Sequence, residues 1–148
     1  MENEVTKLGN KSIVVKFYEA EHWCWEHNLK LVAKIIWRLI YILFACSIPP
    51  TTKMGNVEIA HGIGIVIHQS SVVGDGTKIY QNVTIGSGEH GPRIGDNCIL
   101  GAGCCILGDI VIGNNVRVGA NAVVLKDIPD NCTVVGVPAH IVRQNNSN

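Results

Sequence analysis

The sequence predicts an all-β repeat fold of about four coils with a pair of α-helices in front of it, and three observations lead to that reading. An aliphatic residue returns at a spacing of six: Ile67, Val73, Ile79 and Ile85, then Ile94, Leu100, Ile106, Ile112, Val118 and Val124. Glycine usually follows it, and Asn or Asp often stands third or fourth, as in Val73-Gly74-Asp75-Gly76-Thr77-Lys78 and Ile112-Gly113-Asn114-Asn115-Val116-Arg117. Seven of the eight aromatic residues (Phe17, Tyr18, Trp23, Trp25, Trp37, Tyr41, Phe44) precede this ladder, which contains only Tyr80. An antiparallel strand alternates with period two and a surface helix with period 3.6, so a sustained six fits neither. It fits a solenoid in which each six-residue unit is a short strand plus a turn, three units close one triangular coil, and the aliphatic side chain points inward.

The N-terminal stretch up to about residue 11 is polar and without periodicity, which predicts a frayed end. Ser12 is placed to cap a helix that begins near Ile13 and carries Phe17, Tyr18, Trp23 and Trp25 toward His27. Asn28 reads as the break and as a cap for a second helix over residues 29–46, where Lys30, Lys34 and Arg38 recur at i, i+4 and i+8 as one basic stripe. A membrane span needs about 20 predominantly apolar residues, whereas the uninterrupted apolar run here is residues 39–46. Two placements of this helix are open. It caps the mouth of the repeat array, or it makes peripheral contact with an anionic membrane surface, its cations outward and Trp37, Tyr41 and Phe44 inward. Pro49-Pro50 is expected to end it.

The ladder then runs from Ile48 and Met54 onward, and the chain divides into a helical segment (1–46), a repeat domain (47–129) and a C-terminal segment that packs back and ends in a flexible tail (130–148). Glycine in second place is expected to relieve tight backbone angles at the corners, and Asn or Asp in third and fourth to suit turns. Two intervals break the beat: Met54 to Ile67 is thirteen residues and Ile85 to Ile94 is nine. Each contains a histidine, His61 in the first and His90 in the second. The regular ladder reads as scaffold and the interruptions as the site.

Composition narrows the function classes. With 148 residues, one domain is expected. Twelve basic and twelve acidic residues cancel, so nothing calls for nucleic acid, which needs a net basic surface. Six cysteines without a CxxC pair, and no secretory signal at the start, predict a reduced, cytoplasmic setting, at the inner face of the membrane if the basic helix lies on it. Cys98 and Cys104 take the fifth place of their hexads and Cys105 the sixth, as small core-filling residues.

Three segments, together with the closing Val135-Gly136-Val137-Pro138-Ala139, resemble the hexapeptide-repeat acyltransferases, and most closely their serine acetyltransferase branch. They are Ile48-Pro49-Pro50-Thr51-Thr52-Lys53-Met54-Gly55, Ile59-Ala60-His61-Gly62-Ile63-Gly64-Ile65-Val66-Ile67 and Gln81-Asn82-Val83-Thr84-Ile85-Gly86. The resemblance covers residues 17–142 and implies a left-handed parallel β-helix, a homotrimer with sites between subunits, and acetyl-coenzyme A as acyl donor. It also implies that His61 is the general base. The chemistry agrees, because an imidazole titrating near neutrality is suited to take the hydroxyl proton as the oxygen attacks a thioester. A thioester is already activated, so simultaneous binding of donor and acceptor supplies proximity without a covalent intermediate. A hydrogen-bond donor for the oxyanion is needed, and the sequence does not single one out.

The chain departs from that branch in ways that bear on the acceptor. Serine acetyltransferases carry an aspartate immediately before the base, where this chain has Ala60, and another that orients the base, where it has Ser47. Their Asp-Arg-His-Pro loop is shorter here and reads Glu89-His90-Gly91-Pro92-Arg93, which puts His90 in a catalytic or acceptor-binding role one place displaced. The long N-terminal helical domain and the isoleucine-ending tail of the cysteine-pathway enzymes are absent, as in short relatives that acetylate sugars. The expected acceptor is therefore a hydroxyl of a capsular or exopolysaccharide sugar, with L-serine as the alternative. The resemblance further assigns coenzyme A contacts to Gly86, Ala102, Gly103 and Ala120, with Lys126 or Arg143 near its phosphates. A remote alternative is a zinc carbonic anhydrase-like site from His61, His68 and His90, whose spacings lack a close ligand pair. The other is a bare repeat scaffold without activity. No metal is expected.

Overall fold

Two helices lead into the solenoid. In this computed structural model, which describes residues 11–86 and 88–144, α1 spans Ile13–Glu26 and α2 spans Lys30–Phe44. Ser12 caps α1 as expected, its Oγ accepting from the Val15 amide at 3.4 Å. Asn28 does break the helix, at φ 62°, but the second helix is capped from Leu29, without a side-chain bond. The chain stops α2 at Phe44, before the prolines are reached. Ala45 takes the left-handed conformation at φ 52°, so that buried Cys46 and Ile48 can enter the first coil. The polar stretch up to residue 10 and the tail after Gln144 lie outside the described residues.

It is α1 that covers the mouth of the solenoid, and α2 lies against α1. Val14, Val15 and Tyr18 are buried in the common core, and the Tyr18 hydroxyl donates to the Thr52 carbonyl at 2.5 Å. On α2 only Ala33 and Ile40 are fully buried, while Phe44 meets Phe17 with ring centroids 6.2 Å apart.

The first coil contributes β1 (Lys53–Met54) and β2 (Glu58–Ile59), and the second β3 (Val66–Ile67), β4 (Val72–Val73) and β5 (Lys78–Ile79). The third adds β6 (Thr84–Gly86), β7 (Arg93–Ile94) and β8 (Ile99–Leu100), the fourth β9 (Cys105–Leu107), β10 (Val111–Ile112) and β11 (Arg117–Val118). Then come β12 (Val123–Val124), β13 (Cys132–Val135) and β14 (His140–Gln144). Strands one coil apart pair in parallel and make three faces: face I is β3-β6-β9-β12, face II is β1-β4-β7-β10, and face III is β2-β5-β8-β11-β13 with antiparallel β14 on its end. This is a parallel β-solenoid of about four coils, matching a left-handed β-helix, behind two helices. Because β13 continues face III, the coil extends past the expected boundary at residue 129.

Every ladder residue from Ile67 to Val124 is buried, at 3 % exposure or less. Between them the fifth places hold small side chains, including Thr77, Val83, Cys98, Cys104 and Ala122, all at 0 %. Thr77 Oγ1 donates to the Gly95 carbonyl at 3.0 Å and Cys98 Sγ to the Gly113 carbonyl at 3.1 Å, whereas the buried Ser71 Oγ has no such partner.

The corner chemistry differs from the expectation in one respect. The tight, left-handed backbone falls at the fourth place, at Gly76, Asn82, Asn97, Gly103, Asn115 and Asn121, with φ between 54° and 70°. Second-place glycines have ordinary angles and serve close stacking. A Cβ on Gly74 would lie 2.6 Å from the backbone of Gly95 in the next coil. Third-place Asp and Asn side chains then stitch successive coils at the edge between faces II and III. Asp75, Asp96, Asn114 and Asp130 accept from the amides of Asn56, Asp75, Asp96 and Asn114 at 2.7–2.8 Å.

Candidate active site

The thirteen-residue interval before Ile67 resolves into two opposite deviations. Ile59 is its inward residue, pairing with Ile79, and it lies five residues after Met54 and eight before Ile67. The two extra residues form the turn from face III to face I, with His61 exposed on it. The turn is held from several sides. The Ala60 amide donates to the Ile79 carbonyl at 2.9 Å, Ile63 N–H to the His61 carbonyl at 3.0 Å, and Asn82 N–H to the Ile63 carbonyl at 2.9 Å. Gly62 touches α1 so closely that a Cβ there would lie 2.4 Å from Val14 Cγ2, and Gly64 adopts φ 68°. The helix that caps the solenoid thus also seats the histidine turn.

Beside His61, with ring centroids 6.4 Å apart, stands Tyr80. Lys78 Nζ lies 5.6 Å from the Tyr80 ring centroid and 2.8 Å from Glu58 Oε1, and its pKa is raised first by that hydrogen bond. This Glu58-Lys78-Tyr80 row was not singled out from the sequence. Its signal there is that Tyr80 is the ladder's lone aromatic.

The same edge carries three of the expected coenzyme contacts. Ala102 and Gly103 in the third coil and Ala120 in the fourth follow Leu100 and Val118 around the turn from face III to face I. At the II/III edge third-place carboxylates cap the turn amides, but here the third places are Gln81, Ala102 and Ala120. Among the described residues no acceptor on this chain meets their amides. Gln81 Oε1 is also buried without a partner. The edge therefore presents open backbone donors spaced one coil apart, about 4.8 Å, beside the small side chains of Ala102, Gly103 and Ala120. That suits a ligand bound through its amide carbonyls.

His90 stands on a different edge. The nine-residue interval is a loop from face I to face II, and Asp109 holds it, its Oδ1 accepting from the amides of His90 and Gly91, each at 2.9 Å. Those backbone bonds, His90's first, keep the Asp109 carboxyl below its usual range. Gly86 closes β6 at the start of this loop, and Lys126 follows β12 on the same edge. Arg143 lies on β14, opposite Thr133, and Ser47 bridges Val66 on face I through backbone bonds to Ile65 and Ile67, both 2.8 Å. One chain thus brings His61 together with Ala102, Gly103 and Ala120, and His90 with Gly86 and Lys126, but not the two groups with each other. His68 belongs to the His90 side, where a Cβ on Gly91 would lie 2.8 Å from its Nδ1. Among the described residues no group of three His, Cys, Asp or Glu side chains converges as for a metal ion.

A triangular solenoid built on a six-residue beat is the architecture of hexapeptide-repeat proteins. Accordingly, residues 91–126 match the family described as bacterial transferase hexapeptide (six repeats). The serine acetyltransferase of Synechococcus elongatus is 39% identical over 131 residues, 84% of this chain and 54% of the relative. That of Staphylococcus epidermidis is 39% identical over 146 residues, 88% of this chain and 68% of the relative. A solved serine acetyltransferase in complex with CoA superposes with a TM-score of 0.80 at 35% identity, over 87% of this chain and 55% of that one. The chain belongs to the serine acetyltransferase family of hexapeptide-repeat transferases. It spans about half the length of the Synechococcus relative and of the solved structure.

Proposed function

We propose that this protein transfers acetyl from acetyl-coenzyme A to the hydroxyl of L-serine, with His61 as general base, in a site between subunits of a homotrimer. The observation that carries the reading is the seating of His61 on a turn inserted into the solenoid, on the edge that exposes unpaired amides. Its relatives' names move serine ahead of the polysaccharide acceptor expected from the sequence. Acetyl-coenzyme A supplies the activated thioester, and the edge of Ala102, Gly103 and Ala120 fits its pantetheine. Lys126 and Arg143 are the candidate phosphate contacts. His61 takes the acceptor proton while the oxygen attacks the carbonyl carbon. The C–S bond then breaks, and the His61 imidazolium returns its proton to the departing sulfur, which leaves as the free thiol. Ser47 and His90 complete the candidate set, Ser47 toward the imidazole and His90 toward the acceptor. Because His61 and His90 occupy different edges of one chain, a shared site requires His90 from a neighbouring subunit.

A second reading, a sugar hydroxyl as acceptor, is favoured by a specific observation. Ala60 offers no carboxylate to a serine ammonium, and the Tyr80 ring beside His61 is a platform on which a pyranose can stack. Thiol release from acetyl-coenzyme A, measured with L-serine and then with sugar acceptors, separates the two. Turnover with serine that falls at least 100-fold in His61→Ala, the order expected for losing a general base, supports the first reading. Turnover with sugars alone transfers the mechanism to the second, and unchanged activity of the variant refutes the role of His61.

A further inference from the structure

The candidate site makes no use of the outer face of α2, whose side chains are unlike a solvated helix face. Leu31, Ile35, Leu39 and Ile42 recur at i, i+4, i+8 and i+11 and so form one row, flanked by Val32 and Leu43. Leu31 is 73% exposed, Ile42 68% and Leu43 61%. The opposite face, through Ala33 and Ile40, is the one that packs into the protein. Along one border of the row run exposed Lys30, Lys34 and Arg38, and α2 contains no acidic residue. Of the three aromatics expected on the membrane side, Trp37 and Phe44 are half-buried within the protein and Tyr41, 53% exposed, stands on the border with Lys34 and Arg38, so the row itself is aliphatic.

We propose that α2 docks this protein on an anionic phospholipid bilayer, its aliphatic row entering the headgroup boundary and its three cations meeting lipid phosphates. Charge selects this occupant over a second copy of the chain. Two α2 helices face to face would bring six cations together. Elsewhere on the described chain nearly every acidic side chain is engaged: Glu19 with Lys11, Glu26 with His22, Glu58 with Lys78, and Asp75, Asp96, Asp109, Asp127 and Asp130 with backbone amides. Glu21 is buried, which leaves Glu89, in the His90 loop, as the exposed acidic group without such a bond. An anionic surface supplies the complement the protein lacks, and an exposed aliphatic row beside cations is the composition of an interfacial helix. No described helix is long and apolar enough to cross a membrane, so the contact is peripheral.

The test is co-sedimentation of the full chain with vesicles of phosphatidylcholine alone and with about one third phosphatidylglycerol, where anionic lipid governs attraction. The wild type is expected to bind the anionic vesicles and to be released by salt. Leu31→Glu/Ile42→Glu is expected to weaken binding at least tenfold, and Lys34→Glu/Arg38→Glu to abolish the preference for anionic lipid. Val111→Gln, an exposed aliphatic on β10, is the control expected to bind normally. Unchanged melting of the variants shows that they fold. Failure of the wild type to bind, equal binding by the α2 variants, or a fall in molar mass by light scattering for Leu31→Glu/Ile42→Glu would each overturn the proposal, the last by assigning the face to a second copy.

Discussion

Glu21 in α1 is fully buried and neither carboxyl oxygen has a hydrogen-bond partner, so burial pushes its pKa up from 4.5 to about 8. The folded state therefore holds a proton that the unfolded chain releases earlier. Its contribution is fully present below about 4.5, declines as pH rises and is lost through about 8. Glu21→Gln is expected to flatten that slope and to raise stability at pH 8 relative to wild type, measured by urea unfolding across this window. Gly64 makes a different demand, since its φ of 68° is joined by a contact that would place a Cβ 2.2 Å from Asn82 Oδ1. Gly64→Ala is expected to cost roughly 1–2 kcal/mol in strain and to lower kcat by displacing His61, two bonds of the same turn being affected. The burial of Glu21 was not legible in the sequence. Glu21 has the ordinary spacing of a helical surface carboxylate, and its burial follows from where α1 meets α2 and the first coil.

Among the elements, the turns gave their chemistry away in sequence and the helices did not. Third-place Asp and Asn were expected in turns, and the structure adds that each caps the amide one coil earlier. Asp96→Ala is expected to cost about 1 kcal/mol through the lost bond to Asp75 N–H, whereas Asp96→Asn keeps the acceptor and should be neutral, as Asn114 already shows in the next coil. Thermal melting of the two variants distinguishes them. The His90 loop depends on one such acceptor. Asp109→Ala, which frees both the His90 and Gly91 amides, is expected to lower melting at least as much as Asp96→Ala and also to raise the acceptor KM, whereas Asp109→Asn should keep both. The lowered Asp109 pKa keeps the carboxylate ionised at pH values below the usual carboxylate range, and the anchor weakens only as pH falls through the depressed value. For the helices, amphipathicity was readable but direction was not. The basic stripe told which residues could face water, yet only packing decided that α1 takes the mouth and α2 the outside.

At the scale of the molecule, the separation of His61 and His90 onto two edges makes subunit exchange informative. Coils of one triangular prism cannot bring those edges together, whereas neighbouring prisms in a trimer can. Refolding His61→Ala with His90→Ala in equal amounts is expected to restore about a quarter of wild-type activity, since each interface of the proposed trimer would need one intact histidine from each side. Recovery of none, with both variants inactive alone, would mean that both histidines act within one chain. The sequence by itself determined the solenoid, because a six-residue beat can be satisfied only by coils whose inward residues stack, and it marked both histidines as interruptions of that beat. It could not place the first deviation, which the pairing of Ile59 with Ile79 divided into a shortened turn and an inserted one. Nor could it say which edge each histidine occupies, which amides stay open at Gln81, Ala102 and Ala120, or that Tyr80 stands beside His61. Those were decided by the tertiary structure. The inward beat is a local repeat written in consecutive residues, whereas edges, open donors and neighbours depend on how residues one coil apart come into register.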